Sequence, residues 1–367
     1  MSSAIIIAAQ RTPVGTVARG LATVTAGDLG ATVLASLASE VGAPAEVVLG
    51  NTMGPGGNVA RVAALSAGLD DATPALTVDR QCASGLAAIE VGARLVGRGH
   101  TPVFAGGVES ASTAPWRYWP PADGDPVRYT RAPFAPEGVD IDMGIAADLL
   151  AEEAEISRER QDAYAARSHA RAVVAAREGR FAAELVPLAG LSTDERPRPG
   201  LSAHLLSRFP AAFRAGGSVT TGNSCGINDG AAVVALTPER EGMSGLRIIG
   251  SASAGVDPRR PGLGIVPAVG AALREAGLSV ADLDVIELNE AFAGQVLACC
   301  DALGIAEERV CRDGGALALG HPWGASGAIL VVRLFSQLVR QGAGRYGLAA
   351  IAAGGGQGTA LVVQACR

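Results

Sequence analysis

The 367-residue sequence contains no lysine, so all thirty of its basic residues are arginines. Without a lysine amine the chain cannot form a Schiff base, which excludes pyridoxal chemistry and imine-forming catalysis. The net charge is −6, and no cluster of arginines is dense enough to neutralise a phosphate backbone. We therefore expect no nucleic-acid partner.

Cysteine is scarce, and long apolar runs are missing. The six cysteines are scattered without metal-type CxxC pairs, so we predict neither a disulfide framework, a metal site nor a permanently bound cofactor. No stretch approaches the ~20 apolar residues of a membrane span. The first residues, MSSAIIIAAQ, lack the basic segment of a signal peptide. These features predict a protein of the reduced cytosol with no membrane association.

Small and apolar residues are abundant instead. Hydrophobic residues make up 49% of the sequence and charged residues 18%, and the mean hydropathy is +0.28. Such a composition is typical of α/β proteins whose central strands are covered on both faces. The length exceeds one ordinary core and predicts two compact units, while the low charge favours a homo-oligomer.

The chain also repeats itself. A predicted strand, helix and strand ending at Asn51 (4–9, 27–41 and 47–50) return as a strand, helix and strand ending at Asn289 (246–250, 267–277 and 284–288). Asn51 and Asn289 are 238 residues apart, and Cys82 and His321 are 239 apart. Two glycine-rich segments, 104–107 and 352–355, are interpreted as matching strand ends. Duplication is favoured over chance similarity of short α/β units.

The middle of the sequence breaks this pattern. Between residues 112 and 214 we predict a loop rich in proline and tryptophan, helices over 143–154 and 158–179, and an exposed loop over 194–200. We interpret this part as an insertion lying over the site. The alternative is a separate small domain with no role in the chemistry.

Cys82 is the first candidate for chemistry, because it follows a predicted strand (74–79) and precedes a predicted helix (87–96). Free N–H groups at a helix N-terminus stabilise a thiolate and can also hold an oxyanion. We therefore expect a nucleophile with a lowered pKa. A buried structural cysteine is the alternative.

Three further residues share the expected edge of the sheet, where ligands bind in α/β proteins. His321 lies in a glycine-flanked turn between a predicted strand and helix, and could act as a general base for Cys82. Asn289 could orient a water or cap the next helix. Gly354 could let a backbone N–H face a reacting carbonyl. The other histidines lie at predicted helix ends or in the insertion: His100, His169 and His204.

Eight segments, taken in order, resemble the thiolase family over nearly the whole chain. They are RTPVG (11–15), CASGL (82–86), AGGVES (105–110), SRERQDAYAARSH (157–169), GNSCGINDGAA (222–232), NEAFA (289–293), GGALALGHPWGASG (314–327) and GGGQG (354–358). The resemblance implies a five-layered αβαβα fold with two topologically similar halves. The implied units are an N-terminal half (1–112, completed by 226–243), an inserted coenzyme A-binding loop domain (113–225) and a C-terminal half (244–367).

The resemblance also implies ping-pong chemistry on acyl-CoA, with coenzyme A as substrate. Cys82, activated by His321, would form an acyl-enzyme, with the N–H groups of Cys82 and Gly354 as oxyanion hole. His321 and a water held by Asn289 would stabilise the enolate of the second thioester. The expected coenzyme A contacts are Met143, Ser224, Cys225 and Phe292. A homodimer or homotetramer acting in fatty acid metabolism is expected.

The sequence departs from the family pattern at several positions. Ala352 stands where the family has its second catalytic cysteine, the acid–base group for the α-carbon. Asp142 and Cys225 replace a common histidine and serine, and the stretch 116–142 is short. Acyl-chain preference is therefore left open.

Three hypotheses follow. The first is a thiolase-type C-acyltransferase in which another group, with His321 as one candidate, is the second base. The second is a transacylase or thioesterase that uses only the first half-reaction, as Ala352 suggests. The third is a non-catalytic acyl-CoA-binding protein.

Overall fold

The computed structural model describes residues 4–96, 101–121 and 123–366, so the predicted context of His100 lies outside the described residues. The strands are β1 (Ala4–Arg11), β2 (Gly15–Thr16), β3 (Glu46–Gly50), β4 (Ala75–Val78), β5 (Val103–Ser110), β6 (Arg117–Trp119), β7 (Val127–Tyr129), β8 (Asn228–Pro238), β9 (Gly245–Gly255), β10 (Val285–Leu288), β11 (Tyr346–Ala353) and β12 (Gln357–Cys366).

The α-helices are α1 (Ala26–Val41), α2 (Val59–Ser66), α3 (Ser84–Leu95), α4 (Met143–Glu153), α5 (Arg158–Arg177), α6 (Ala203–Leu206), α7 (Ile265–Ala276), α8 (Ala293–Leu303), α9 (Ala316–Leu319) and α10 (Trp323–Phe335). Short 3₁₀-helices lie at Pro261–Gly264, Val280–Asp282 and Glu307–Arg309, and a π-helix at Ser336–Arg340 extends α10. Among the described residues, no helix has both the length and the apolar character that crossing a lipid bilayer requires.

The main sheet consists of two similar halves, with β4 as an additional edge strand of the first half. Its order is β10-β11-β12-β9-β1-β8-β5-β3-β4, with β2 paired to β8. In each half a parallel pair (β3 with β5, β10 with β11) is followed by an antiparallel partner (β8, β12) and then by β1 or β9. The halves join where Ile5 and Ile6 pair with Arg247 and Leu246. The topology confirms the predicted pair of similar halves.

Helices divide the half-sheets into layers. Helices α3 and α10 contact strands of both halves and share one buried cluster with them, which includes Leu86, Val332 and Leu361. On the outer faces, α1 and α2 cover the first half and α7 and α8 cover the second. The five-layered αβαβα fold is therefore confirmed, with helices α3 and α10 as its middle layer.

Glycines let the starts of α3 and α10 meet. A Cβ on Gly85 would come within 2.7 Å of the Gly324 carbonyl oxygen, and one on Gly107 within 1.9 Å of the same atom. Because Cys82 and His321 each stand three residues before one of the touching helix glycines, the two helix starts bring both residues to the middle layer.

Two local predictions were wrong. The glycines of 104–107 lie inside β5 rather than at its end, because Gly106 and Gly107 admit close contact with β8 and α10. His321 follows the short helix α9 rather than a strand. This helix ends at Gly320, which has a φ of +114° and where an added Cβ would come within 2.6 Å of the Asn228 side chain. Both features require glycine.

The insertion is tied to both halves by buried charges. Arg11 of β1 donates to Glu184 (2.8 Å) and Asp194 (2.7 Å), and Arg333 of α10 pairs with Glu184 and Asp313. Removing one member of such a buried cluster leaves an unpaired charge and costs about 3–5 kcal/mol. The cluster fixes the insertion against the middle layer.

Candidate active site

Cys82 lies in a strained turn between β4 and α3. Gln81, just before it, has a φ of +50°, which is unusual for a residue with a side chain. The turn is held because the Gln81 carbonyl accepts hydrogen bonds from Ser84 Oγ (2.6 Å) and Thr52 Oγ1 (3.2 Å). Helix α3 begins at Ser84, three residues earlier than predicted. Cys82 is therefore directly at the helix N-terminus.

The electrostatics of Cys82 differ from the expectation. Burial raises the pKa of the Cys82 thiol to about 12, and the nearby Cys225 and Glu109 add to this. The backbone N–H groups of Cys82 itself and of Gly354 favour the thiolate and act in the opposite direction. The predicted net lowering of the pKa was wrong, because loss of hydration outweighs the helix N-terminus. Cys82 is a thiol until a base removes its proton.

Gly354 belongs to the hairpin turn that links β11 to β12. Ala353 pairs with Gln357, which leaves Gly354, Gly355 and Gly356 as the loop. Gly355 and Gly356 have φ values of +79° and +75°, a conformation that favours glycine. The turn thereby directs the Gly354 N–H at Cys82.

His321 is buried and held by two hydrogen bonds. Its backbone N–H donates to Asn228 Oδ1 (2.9 Å), and its Nδ1 lies 2.6 Å from Ser326 Oγ. The Ser326 hydroxyl also lies 3.1 Å from the Pro322 carbonyl oxygen, and when it donates its single proton there, Nδ1 carries the ring proton and Nε2 keeps a lone pair. Burial lowers the pKa of His321 to about 4. The imidazole is thus a neutral base at physiological pH.

Asn289 directly follows β10 and is buried. Its backbone N–H donates to the Ala350 carbonyl of β11 (2.9 Å). Its side chain lines a small cavity together with Gly320 and Ser326, beside the His321 turn. The amide makes no hydrogen bond to any described residue, and is left available for a water or substrate atom.

A narrow cleft of about 360 Å³, counted to its open mouth, lies beside Cys82, whereas Asn289 lines the separate cavity described above. Cys82, Ala352, Met143 and Phe292 all line it. The rest of its wall is mostly apolar and comprises Ala146, Ala147, Leu150, Pro261, Gly262, Ala291 and Gln295. The cleft suits a short acyl chain and the apolar part of a pantetheine arm.

Ser224 and Cys225 lie behind this wall. Ser224 forms a β-bridge with Phe292, and its hydroxyl donates to the Thr220 carbonyl (2.6 Å). Cys225 donates its backbone N–H to the Ala291 carbonyl (2.9 Å). The structure therefore brings Met143 and Phe292 to the cleft surface, places Cys225 behind it, and uses the Ser224 hydroxyl in an internal hydrogen bond.

Several residues of the site were missed. Ser326 and Asn228 fix His321, and the ring of Phe134 packs against Gly354, where an added Cβ would come within 2.6 Å of it. The buried Glu109 accepts from the N–H groups of Met53 (3.1 Å) and Gly324 (3.0 Å). Ser326, Asn228 and Glu109 fall inside the recognised motifs, which is the one signal that could have singled them out.

A metal centre would need several ligating side chains close together. Along the described parts of the chain, no group of three or more His, Cys, Asp or Glu side chains is close enough to hold an ion.

Known proteins match this chain in sequence and in structure over nearly its whole length. Residues 4–240 match the family described as "Thiolase, N-terminal domain" and residues 244–365 match "Thiolase, C-terminal domain". The chain is 42% identical to an acetyl-CoA acetyltransferase of Pseudomonas aeruginosa, over 99% of both chains. It is 40% identical to one of Chromobacterium violaceum, over 98% of both. The crystal structure of the Bacillus anthracis acetyl-CoA acetyltransferase superimposes with a TM-score of 0.94 at 37% identity, covering 100% of this chain and 99% of that one.

Proposed function

Because the chain belongs to the thiolase family, we propose that it is a coenzyme A-dependent acyltransferase, an acetyl-CoA C-acetyltransferase or 3-ketoacyl-CoA thiolase, that works through a Cys82 acyl-enzyme. The shared name of its relatives supports acetyl-CoA as the acyl donor. The observation that carries the proposal is the pair of N–H groups, from Cys82 and Gly354, directed at the Cys82 thiol.

The first half-reaction is acylation of Cys82. Neutral His321 takes the thiol proton, and the thiolate attacks the carbonyl carbon of the acyl-CoA. Negative charge then develops on the carbonyl oxygen, where the Cys82 and Gly354 N–H groups can stabilise it. Removing one such donor typically costs about 10²–10³ in rate. When the carbonyl re-forms, the C–S bond to coenzyme A breaks and coenzyme A leaves as its thiolate.

The second half-reaction forms a carbon–carbon bond. Protonated His321 and the free amide of Asn289, through a water, are positioned to stabilise the enolate of a second acetyl-CoA. Met143 and Phe292 on the cleft wall, backed by Ser224 and Cys225, would hold the coenzyme A arm during both steps. The acyl group would occupy the apolar cleft beside Ala352.

Ala352 is the observation that favours a second candidate function. A methyl group cannot exchange a proton with the α-carbon, and the protein could stop after acylation. It would then be a transacylase or thioesterase that passes the acyl group to coenzyme A, water or another acceptor.

Trapping of the acyl-enzyme tests the proposal. The full chain is incubated with radiolabelled acetyl-CoA, denatured and digested, and label is expected on the peptide containing Cys82. Cys82→Ser should take up no label, whereas Cys366→Ser, a cysteine at the far end of β12, should be labelled like the wild type. An unlabelled wild type, or label that survives in Cys82→Ser, would overturn the covalent mechanism.

We further propose that the enzyme is a cytoplasmic homodimer or homotetramer that takes part in fatty acid metabolism. Strand β4 stands last in the sheet order, and large apolar side chains are exposed beside it. Val62 is 53%, Leu65 44% and Leu76 40% exposed. Light scattering on the purified chain checks the assembly, and a monomer at micromolar concentration would contradict it.

A further inference from the structure

The cleft has an alanine at position 352, and a second thiol, that of Cys225, lies directly behind the cleft wall. Cys225 is hydrogen-bonded through its backbone to Ala291, a cleft residue. On either side of it, Ser224 bridges to Phe292 and Ile227 bridges to His321. The segment 224–227 therefore spans the distance between the cleft wall and the general base, with Cys225 between them.

The two thiols are close enough to interact through their charges. Among charged or titratable groups, Cys225 makes the largest contribution to the raised pKa of Cys82. Both cysteines are half-buried. Such coupling means that a proton leaving one thiol is opposed when the other is already ionised, so only one of them is a thiolate at a time.

Arg196 supplies a positive charge beside Cys225. Its Nε donates to the Leu317 carbonyl and its Nη2 to the Ser224 carbonyl, both at 2.9 Å. A Cβ added to Gly226 would come within 2.6 Å of Arg196 Nη1, so the guanidinium lies against the Cys225 turn. No carboxylate of the described residues pairs with it. A largely buried cation without an acidic partner is costly, and an adjacent thiolate would neutralise it.

We propose that Cys225 is the second acid–base group of this active site, in place of a cysteine at position 352, and that Arg196 stabilises its thiolate. This inference rests on the proposed function. Burial raises the pKa of Cys225 to about 12, and the Arg196 charge opposes that rise. The thiolate therefore arises during the reaction rather than before it.

The protons balance over one cycle. In acylation, Cys82 gives its proton to His321, and the departing coenzyme A thiolate takes the proton of Cys225. The Cys225 thiolate then removes an α-proton from the second acetyl-CoA, whose C–H electron pair forms the enolate. The enolate carbon attacks the acyl carbonyl, the C–S bond to Cys82 breaks, and His321 returns its proton to the Cys82 thiolate. All three groups end as they began, and thiolysis runs the same steps backwards.

Comparison of the two half-reactions tests the role of Cys225. Acylation of Cys82 by radiolabelled acetyl-CoA and formation of acetoacetyl-CoA are measured in wild type, Cys225→Ser and, as a matched control, Cys366→Ser. Because a positioned base contributes about 10²–10⁴ in rate, Cys225→Ser should lose that factor in condensation. Acylation should fall by less than about tenfold, since the coenzyme A thiolate can leave with little help.

The outcomes separate this inference from the proposed function. If Cys82 of Cys225→Ser is labelled and condensation runs at the wild-type rate, Cys225 is not the base. If both half-reactions fall equally, its role is structural. If the wild type takes up no label, the proposed function fails and the assignment of Cys225 fails with it.

Moving the thiol from position 225 to position 352 gives an independent test. The double variant Cys225→Ser/Ala352→Cys should recover condensation to within about tenfold of the wild type. A loss of local packing at residue 225 could not be repaired from position 352. A double variant as slow as Cys225→Ser would contradict the assignment.

Arg196 is a positioning residue, and its charge should be visible in the pH profile of condensation. The charged or titratable groups near Cys225 are Arg196, Cys82 and His321. Arg196→Gln removes the positive charge, so the apparent pKa that Cys225 contributes to the pH–rate profile should rise. Arg196→Lys keeps the charge and should leave this apparent pKa near its wild-type value. Identical profiles for both variants would overturn the role of the charge.

Discussion

The two halves of the molecule place an asparagine at the same point, after β3 and after β10, and use it differently. The amide of Asn51 is fully engaged: it donates to the Val108 carbonyl and to Glu109, both at 3.0 Å, and accepts from the Gly54 N–H (3.1 Å). The amide of Asn289 bonds to no described residue and lines a cavity. The equivalent asparagine therefore stabilises the fold in one half, whereas in the other half its amide is available to bind a water or substrate.

The same contrast applies to Cys82 and His321, which precede the two helices of the middle layer. In one half this position carries the proposed nucleophile at a helix N-terminus, and in the other the proposed base, whose ring is held by Ser326. The contact of Gly85 with Gly324 joins the two helix starts. The duplication thus places two different candidate catalytic groups at two equivalent positions.

Replacement of His321 should have the largest effect on this arrangement. His321→Gln removes the base that ionises Cys82, whose thiol is otherwise fully protonated at neutral pH, so acylation should slow by about 10²–10⁴. Rapid-quench labelling with radiolabelled acetyl-CoA measures this rate. Labelling of His321→Gln at the wild-type rate would remove His321 from the mechanism.

The two asparagines should separate activity from stability. Asn289→Ala should slow condensation by about 10²–10³, as loss of an oxyanion donor does, with little change in the free energy of unfolding. Asn51→Ala should instead lower that free energy by about 1–3 kcal/mol, because it strands buried partners. Urea unfolding and condensation assays on both variants test the pair, and equal effects on stability would contradict the contrast.

Buried glutamates offer a smaller, pH-dependent comparison. Burial raises the pKa of both Glu109 and Glu287 to about 7, from an ordinary 4.5. Between these values the folded state holds a proton that the unfolded state has released, so stability falls as pH rises from about 4.5 to 7. Glu287 accepts from Gln337 and lies near Arg333, Asp313 and Glu290.

The wild type should lose up to about 3 kcal/mol of unfolding free energy between pH 5 and pH 8 through Glu287, and Glu287→Gln should not show this loss. Glu109→Gln should destabilise the fold at both pH values, because Glu109 accepts four hydrogen bonds and an amide nitrogen would face N–H donors. Urea unfolding at the two pH values measures both effects. A pH dependence unchanged in Glu287→Gln would show that this carboxyl does not titrate in that range.

The sequence located the fold and the neighbourhood of the site, because repeated strand ends and glycine-flanked turns are local patterns. Cys82, Met143, Phe292 and Ala352 do share a cleft, and Gly354 does face Cys82. Properties that depend on packing between distant segments could not be predicted from the sequence. The pKa of Cys82 depends on burial, and the tautomer of His321 depends on Ser326. The glycines of β5 were misread because their partner, α10, is distant in sequence. The catalytic roles of these residues remain predictions.

The most direct test of the central claim is acetoacetyl-CoA thiolysis by the wild type and by Ala352→Cys. An enzyme that makes and breaks carbon–carbon bonds without a cysteine at position 352 should already thiolyse acetoacetyl-CoA as wild type, and Ala352→Cys should change the rate by less than about tenfold. A wild type that is labelled at Cys82 but thiolyses only after Ala352→Cys would contradict the claim and identify a transacylase or thioesterase.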